Sequence, residues 1–226
     1  GFNRPSDYGN RLLVMIDGHR MNAPLYGAAT FGTDGILDIN LVERVEIIRG
    51  PGSSVYGDNA FFGAVNIITR RGSDLHGAEV GGAVGSSDMY SGRLSYGAST
   101  GVLDVVLSGT FYDNPGRDWF EYPEFSEFNG GLTTASDRDK FYSFFVTARY
   151  SDFTLQGAYV NRHKWDPAAG YDTVFDYGSM AFDERAFADL GYSRVFGDNL
   201  KVLARLRYDY MKAVGDYPYD YLGEGT

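Results

Sequence analysis

Residues that could carry out covalent chemistry are few and lie far apart along the chain. There is no cysteine, which removes thiol nucleophiles and cysteine metal sites. The three histidines, His19, His76 and His163, lie in separate segments. Ser53 and Ser54 lack the Gly-x-Ser-x-Gly spacing that places a nucleophile on a sharp turn. Because no acid, base, nucleophile or metal cluster converges, we expect that the protein is not an enzyme and uses no cofactor.

One glycine-rich stretch has the order of a phosphate-binding loop, namely strand, glycine turn and short helix. Its glycines are Gly50, Gly52, Gly57 and Gly63. A phosphate loop also needs a Gly-Lys-Ser or Gly-x-Gly-x-x-Gly sequence, and neither follows here. These glycines therefore indicate tight turns and close packing of the backbone.

An acidic and aromatic segment, Asn114 to Lys140, could bind a ligand. Trp119 and Tyr122 stand among carboxylates, a mixture that suits a flat or partly apolar molecule, although a self-packed loop is the alternative. Four aspartates could supply oxygen ligands to calcium. They are Asp113, Asp118, Asp137 and Asp139. Because they lack the spacing of a calcium loop, a solvated acidic loop is the favoured interpretation.

The composition places these residues in a β-rich protein. The chain has 30 glycines, 18 tyrosines and 16 phenylalanines, where leucine and lysine would normally dominate. A formal net charge of −10 argues against nucleic acid as a partner, since binding to phosphates needs a basic surface. The longest apolar runs, such as Leu12 to Ile16, fall far short of the roughly 18 residues of a transmembrane helix.

The two parts of the chain differ in pattern. Up to about Arg71, short strands at Arg11 to Ile16, Val42 to Arg49 and Ala64 to Arg70 alternate with turns and helical turns, which predicts a compact α+β unit. After Gly72, apolar residues recur at every second position, which predicts strands with one apolar and one charged face. The charged faces are expected to lie in water.

The connections between these strands decide between a sandwich and a barrel. Alternation alone fits both architectures. From the second strand onward, however, short turns alternate with long loops, and aromatic side chains gather at the strand ends. Outer-membrane barrels have tight periplasmic turns, long external loops and two aromatic girdles. The pattern therefore predicts about seven antiparallel strands of a transmembrane β-barrel.

A long motif gives the N-terminal part a more specific interpretation. From Leu41 to Arg70 the sequence reads Leu-Val-Glu-Arg-Val-Glu-Ile-Ile-Arg-Gly-Pro-Gly-Ser-Ser-Val-Tyr-Gly-Asp-Asn-Ala-Phe-Phe-Gly-Ala-Val-Asn-Ile-Ile-Thr-Arg. It follows Leu-Val-Met-Ile-Asp-Gly-His-Arg-Met-Asn at Leu13 to Asn22. Together these stretches closely resemble the plug signature of TonB-dependent receptors. The resemblance covers Gly1 to about Arg71 at the level of motifs and the remaining strands by pattern alone.

The resemblance implies a fold and an organisation. Residues 1–72 would be a small α+β plug remnant, the C-terminal part of the plug domain, and residues 73–226 the N-terminal portion of the transmembrane barrel. Receptors of this family are similar in having about 22 strands around the plug, so the chain is expected to be an incomplete, truncated part of one. Lipid of the outer membrane of a Gram-negative bacterium would surround it.

The resemblance also implies a mechanism and partners. An extracellular ligand binds plug apices and loops, and TonB, driven by the inner-membrane proton gradient, pulls the plug aside. The TonB box would precede Gly1. We expect a receptor for a ferric siderophore or other metal chelate, with a cobalamin-like ligand next. The alternative is a passive or adhesive barrel that TonB does not energise.

Two sets of site residues follow. Matching the cobalamin transporter of this family places Tyr26 and Gly27 at a ligand-facing apex, with Phe31 in the same segment. As an alternative, Tyr26 and Phe31 pack against the barrel wall.

The second set lies on the strand at Val42 to Arg49. Its residues Val45 and Ile47 share a face that is expected to pack inside the plug. Arg44 and Glu46 lie opposite and, with Arg49, are expected to make polar contacts with the barrel. A solvated strand face is the alternative.

Overall fold

The computed structural model describes residues 9–29 and 35–220. In this part of the chain the fold is mainly β, as predicted. The strands are β1 (Leu12–Ile16), β2 (His19–Arg20), β3 (Val42–Arg49), β4 (Gly63–Thr69), β5 (Gly77–Val84), β6 (Tyr90–Ser99), β7 (Leu103–Asn114), β8 (Phe120–Glu121), β9 (Leu132–Thr133), β10 (Asp139–Tyr150), β11 (Phe153–Asp166), β12 (Ser179–Phe196) and β13 (Leu200–Asp216). The α-helices are α1 (Ser53–Tyr56) and α2 (Gly72–Leu75), and short 3-10 turns cover Ile39–Leu41, Pro123–Phe125, Asn129–Gly131 and Gly170–Asp172.

Strands β1 to β4 form an N-terminal unit, a sheet in the order β2-β1-β4-β3. Strand β1 runs parallel to β4, with Leu12 opposite Gly63, and the other pairs are antiparallel. The side chain of Asp38 caps the 3-10 turn by accepting a hydrogen bond from the backbone N of Asn40 at 2.7 Å. The predicted strands are therefore confirmed.

The other large sheet is an antiparallel meander of seven strands in the order β13-β12-β11-β10-β7-β6-β5, which we call the wall. Each strand pairs with its neighbours through continuous registers, such as Tyr150 opposite Phe153 at one tight turn and Phe196 opposite Leu200 at another. The predicted meander is confirmed. No helix among the described residues has the length and apolar character needed to cross a membrane.

The two faces of the wall have different surroundings. Leu94, Leu107 and Phe144 lie on the outer face and are exposed. The inner face, which carries Arg149 and Arg205, lies against the N-terminal unit. This arrangement agrees with the predicted alternation of faces.

The charged faces were expected to lie in water, but the N-terminal unit covers part of the inner face. A patch of apolar side chains interrupts it and packs on the apolar side of the N-terminal unit. From the wall the patch contains Val106, Phe145, Ala158, Val160 and Phe187, and from the unit it meets Val14, Ile16, Met21, Ile36 and Leu41. Each such side chain contributes roughly 1.5–3 kcal/mol when it is fully buried, so the patch is a substantial part of the cohesion between the two sheets.

The strands extend further than the apolar pattern predicted. The connection between β11 and β12 covers only residues 167–178, because the two strands continue their ladder up to the pair Asp166–Ser179. The connection between β7 and β10 contains the small hairpin β8–β9. Backbone hydrogen bonds between strands form whether or not apolar and polar side chains alternate. The ladder therefore continues beyond the last residue of the apolar pattern.

Candidate functional site

The contact between the two sheets is centred on the tight turn between β1 and β2. Asp17 and Gly18 both have positive φ, 48° and 76°, as the primed hairpin turn requires. The Asp17 carboxylate accepts hydrogen bonds from Thr69 Oγ1 at 2.6 Å within the unit and from Gln156 Nε2 of the wall at 2.7 Å. The turn is thereby fixed to both β4 and β11.

His19, the first residue after this turn, is almost completely enclosed, with 1% of its surface exposed. Its Nδ1 lies 3.0 Å from Asp189 Oδ2 on β12, and its Nε2 lies 2.9 Å from Asp209 Oδ1 on β13. The ring stacks on Phe187, with the centroids 4.0 Å apart and the planes 14° apart. One imidazole ring therefore joins the N-terminal unit to two neighbouring strands of the wall.

Two arginines of β13 complete this contact. Arg205 Nε donates to Asp189 Oδ1 at 2.7 Å, and Arg207 Nε donates to Asp189 Oδ2 at 3.2 Å. Arg205 Nη2 also donates to the backbone O of Asp17 at 3.3 Å, and Arg207 Nη2 to that of Gly18 at 3.0 Å. The turn carbonyls would otherwise lack hydrogen-bond partners at the tip of the hairpin, so the arginines satisfy the backbone as well as Asp189.

The loop after β2 is held from within the N-terminal unit. Asn22, which is buried, accepts from the backbone N of Val14 at 2.8 Å and donates to the backbone O of Leu12 at 3.0 Å and of Gly27 at 2.8 Å. The loop also closes on itself through a hydrogen bond from the N of Gly27 to the O of Ala23. At its apex Leu25 is 75% exposed. A buried amide thus fixes a loop that presents apolar surface.

The two long connections of the wall meet in an aromatic cluster. The rings of Phe125 and Phe175 stack with centroids 4.7 Å apart, and Tyr122 meets Phe175 edge to face at 6.1 Å. Burial raises the pKa of the Tyr122 phenol, and the nearby carboxylates of Asp166 and Asp137 raise it further. The phenol therefore stays protonated and can donate a hydrogen bond at neutral pH.

Comparison with known families identifies the N-terminal unit. Residues 1–64 match the family model described as the TonB-dependent Receptor Plug Domain. The chain carries a TonB-dependent receptor plug domain. This match confirms the resemblance found in the motif from Leu41 to Arg70, and the N-terminal unit is called the plug from here on.

Three solved structures share the fold of this chain. The FrpB iron transporter from Neisseria meningitidis (F5-1 variant) aligns with 91% of this chain and 34% of its own, at a TM-score of 0.60 and 18% identity. The ferric-catecholate import receptor Fiu from E. coli K12 aligns with 91% and 32%, at 0.60 and 18%. The ferric yersiniabactin uptake receptor FyuA from Yersinia pestis aligns with 94% and 34%, at 0.59 and 16%. The chain thus spans about a third of the length of these proteins and shares their fold.

The charged residues of strand β3 of the plug pair with one another along their own strand. Arg44 pairs with Glu46 at 2.9 Å and Glu43 at 2.8 Å on its own strand, and Arg49 is exposed. The bond to Glu46 raises the pKa of Arg44.

The apolar side of β3 faces the wall instead. Val42 and Val45 line an apolar cleft together with Tyr112 and Phe141 of the wall. A shift of register between Val42 and Arg44 adds one residue to β3. Such a bulge places Val42 on the same face as Val45, whereas a regular period of two would place them on opposite faces.

Three of the four aspartates considered for calcium each form an ion pair with a basic side chain. Arg138 binds Asp113 at 2.6 Å, Lys164 binds Asp137 at 2.6 Å, and Arg162 binds Asp139 at 3.0 Å. Within the described residues no group of three or more His, Asp or Glu side chains could hold a metal ion. Carboxylates that already neutralise a cation are poor calcium ligands, so these three pairs favour the solvated acidic loop over a calcium site.

The residues predicted to bind a ligand lie on two different elements. Tyr26 is 65% exposed at the apex of the plug loop, beside Gly27, and Trp119 is 59% exposed on the connection between β7 and β10. Tyr122 lies inside the aromatic cluster of the same connection. Phe31 lies outside the described residues. The structure thus separates exposed candidates from Tyr122, which helps to hold the loop in shape.

Sequence reasoning missed the contacts of the hairpin tip. In the sequence, His19 is an isolated histidine. Asp189, Arg205 and Asp209 are members of the charged faces of predicted strands. Nothing in the spacing shows that these residues meet, since 170 positions separate His19 from Asp189. The one available signal was a run of opposite charges at alternate positions of neighbouring strands, which predicts cross-strand ion pairs.

Proposed function

We propose that this chain is part of an outer-membrane receptor of a Gram-negative bacterium that imports a scarce metal chelate, most simply a ferric siderophore, with energy supplied through TonB. The observation that carries the proposal is a TonB-dependent receptor plug domain packed against the polar face of a β-meander. The opposite face of that meander is apolar and exposed, as a lipid-facing barrel surface would be.

The proposed assembly extends beyond the 226 residues. In it, residues 1–72 belong to the plug and residues 73–226 to the barrel, and further strands of the full-length gene product close the barrel. The coverage of about a third of each related structure supports this view. TonB would engage a segment that precedes Gly1. Lipid would contact the face that carries Leu94, Leu107 and Phe144.

We assign ligand contact to the plug apex and the external connections. Leu25 and Tyr26 are exposed on a loop that Asn22 fixes in place, and Trp119 is exposed on the longest connection of the wall. Exposed aromatic side chains held on fixed loops suit a flat, partly apolar chelate. The fold is shared with an iron transporter and two ferric-chelate receptors, which supports iron chelates as the first ligands to test.

Uptake of a ferric chelate by whole cells tests the function. A strain that lacks the gene would be supplied with one ferric siderophore at a time as its only iron source, with and without the restored gene. We expect growth and uptake of radioactive iron to need the gene and to stop when a protonophore collapses the proton gradient. Uptake that continues after this collapse would instead show the passive barrel.

A pair of tyrosine variants tests the assigned ligand surface. Tyr26→Ala should weaken binding of the transported chelate about tenfold or more, because an aromatic contact to a ligand is lost. Tyr96→Ala is the matched control, since Tyr96 is also exposed but lies on the outer face of the wall. Equal binding by the two variants would contradict the assignment.

A further inference from the structure

The hydrogen bonds of His19 determine its form. Both ring nitrogens lie within hydrogen-bond distance of carboxylate oxygens, Nδ1 beside Asp189 and Nε2 beside Asp209. An ionised carboxylate only accepts hydrogen bonds, so the ring must donate from both nitrogens. Neutral imidazole donates from one nitrogen only. The geometry therefore selects the imidazolium ion, which also forms two ion pairs.

The charges around His19 are not interchangeable. Asp189 is shared, since it also accepts from Arg205 and Arg207. Asp209 differs, because within residues 9–29 and 35–220 its side chain is paired with His19 and with no other cation. The positive charge of His19 is therefore what connects the plug to β13 through Asp209, while the bond to Asp189 connects it to β12.

The position of His19 makes this connection a clamp. Phe187 on β12 stands directly opposite Asp209 on β13 in the ladder. The ring stacks on the first of these residues and forms a hydrogen bond with the second. It thus covers a cross-strand pair of the wall, and the adjoining turn carbonyls are held by Arg205 and Arg207 of the same wall.

We propose that His19, as an imidazolium ion, is the positioning residue that clamps the plug hairpin across β12 and β13. Removing its charge while keeping most of its size loosens the hairpin tip, which keeps the bonds from Gln156, Arg205 and Arg207. The rest of the plug stays docked through the apolar patch, through Asp38 with Thr110, and through the backbone N–H groups of Gly72 and Ser73 with Asp104. The inference goes beyond transport and does not depend on which ligand is carried.

Nitrogen NMR of the full-length gene product, labelled at histidine and kept in detergent at neutral pH, tests the form of the ring directly. The His19 signal is assigned by its loss in His19→Gln. We expect protons on both ring nitrogens. A single protonated nitrogen overturns the proposal, and this result needs no variant to fold beyond the one used for assignment.

Hydrogen exchange of the same protein tests the clamp. In His19→Gln the backbone amides of residues 17–20 should exchange about tenfold faster or more, since bonds to charged groups are lost, while β3 and β4 keep their protection. Asp209→Asn should have a similar effect, and the double variant should be little worse than either single variant, because the two residues act as a pair.

Two variants provide matched controls. His163→Gln changes a histidine that does not contact the plug hairpin, and Asp216→Asn changes an exposed aspartate farther along β13. Neither should alter exchange at residues 17–20. Unchanged exchange in His19→Gln, additive effects of the paired changes, or equal loss of protection throughout the plug would each overturn the local clamp.

Discussion

The two ends of the plug are held in different ways. The hairpin tip is held by polar and charged side chains of the wall. They bind Asp17, Gly18 and His19. The apex loop is held from inside, by Asn22 and by backbone bonds of the plug itself. The tip is thus bound to the wall, whereas the apex is held by Asn22 and presents the exposed side chains of Leu25 and Tyr26, which suits it for contact with a ligand.

The largest effect is expected from removing the shared carboxylate at the tip. Asp189→Ala should destabilise docking of the plug by about 3 kcal/mol, because it leaves the buried His19 and two part-exposed arginines without their shared partner. Hydrogen exchange of β1 and β2 in the full-length protein would measure this. Asp198→Ala, in the exposed turn before β13, should leave the exchange unchanged. If both variants behave alike, the tip is not held by charge.

The apex should respond to the loss of Asn22. Asn22→Ala removes three hydrogen bonds and leaves backbone groups of Val14, Leu12 and Gly27 without that partner. A local cost of about 1–3 kcal/mol is expected. Amides of residues 23–28 should lose protection while those of the tip keep it. Loss of protection at both ends would show that the two ends are not independently held.

A comparison of two glycines distinguishes backbone strain from steric crowding at Gly27 in the apex loop. Gly27 has φ of 65°, and a Cβ there would lie 2.6 Å from Asn59 Nδ2, whereas Gly130 has the same φ of 65° and open space around it. Both Gly→Ala variants should cost about 1 kcal/mol through backbone strain, and Gly27→Ala should cost more because of the contact. Urea unfolding of the two variants gives the comparison, and an equal cost would show that the apex has room to adjust.

The smallest effect is expected at the external connections, at alkaline pH. The raised pKa of Tyr122 means that the folded loop favours the neutral phenol. Its stabilising contribution is therefore complete below the ordinary value of 10.0 and is lost as the pH rises through the higher value of the folded state. Tyrosine absorbance and hydrogen exchange between pH 9 and 12 should show the loop opening after most exposed tyrosines ionise, with Tyr122→Phe removing the effect.

Local patterns were enough to predict most of the fold. The alternation from Tyr142 to Tyr150 is a property of one strand, and the meander follows when each strand pairs with the next. The motif from Leu41 to Arg70 predicted the plug domain that residues 1–64 match. The inner apolar patch was missed because Phe145 and Phe187 look like any aromatic residues until the plug is placed against them.

The candidate site was harder to predict, since it depends on contacts that are distant in sequence. The tip contacts join residues near position 19 to residues near positions 189 and 209. Spacing along the chain carries no information about such a meeting. The period of two holds from Arg44 to Arg49, and the bulge at Glu43 is what places Val42 on the face of Val45.

The central claim is that the wall has lipid on its apolar face and the plug on its polar face. Since this chain has no cysteine, single cysteines at Arg93, Leu94, Ser95 and Tyr96 of β6 can be spin-labelled in the full-length protein in lipid vesicles. We expect spin labels at positions 94 and 96 to collide frequently with oxygen, which concentrates in lipid. Labels at positions 93 and 95 should collide with it infrequently. Equal collision rates at the four positions, or the opposite alternation, would contradict it.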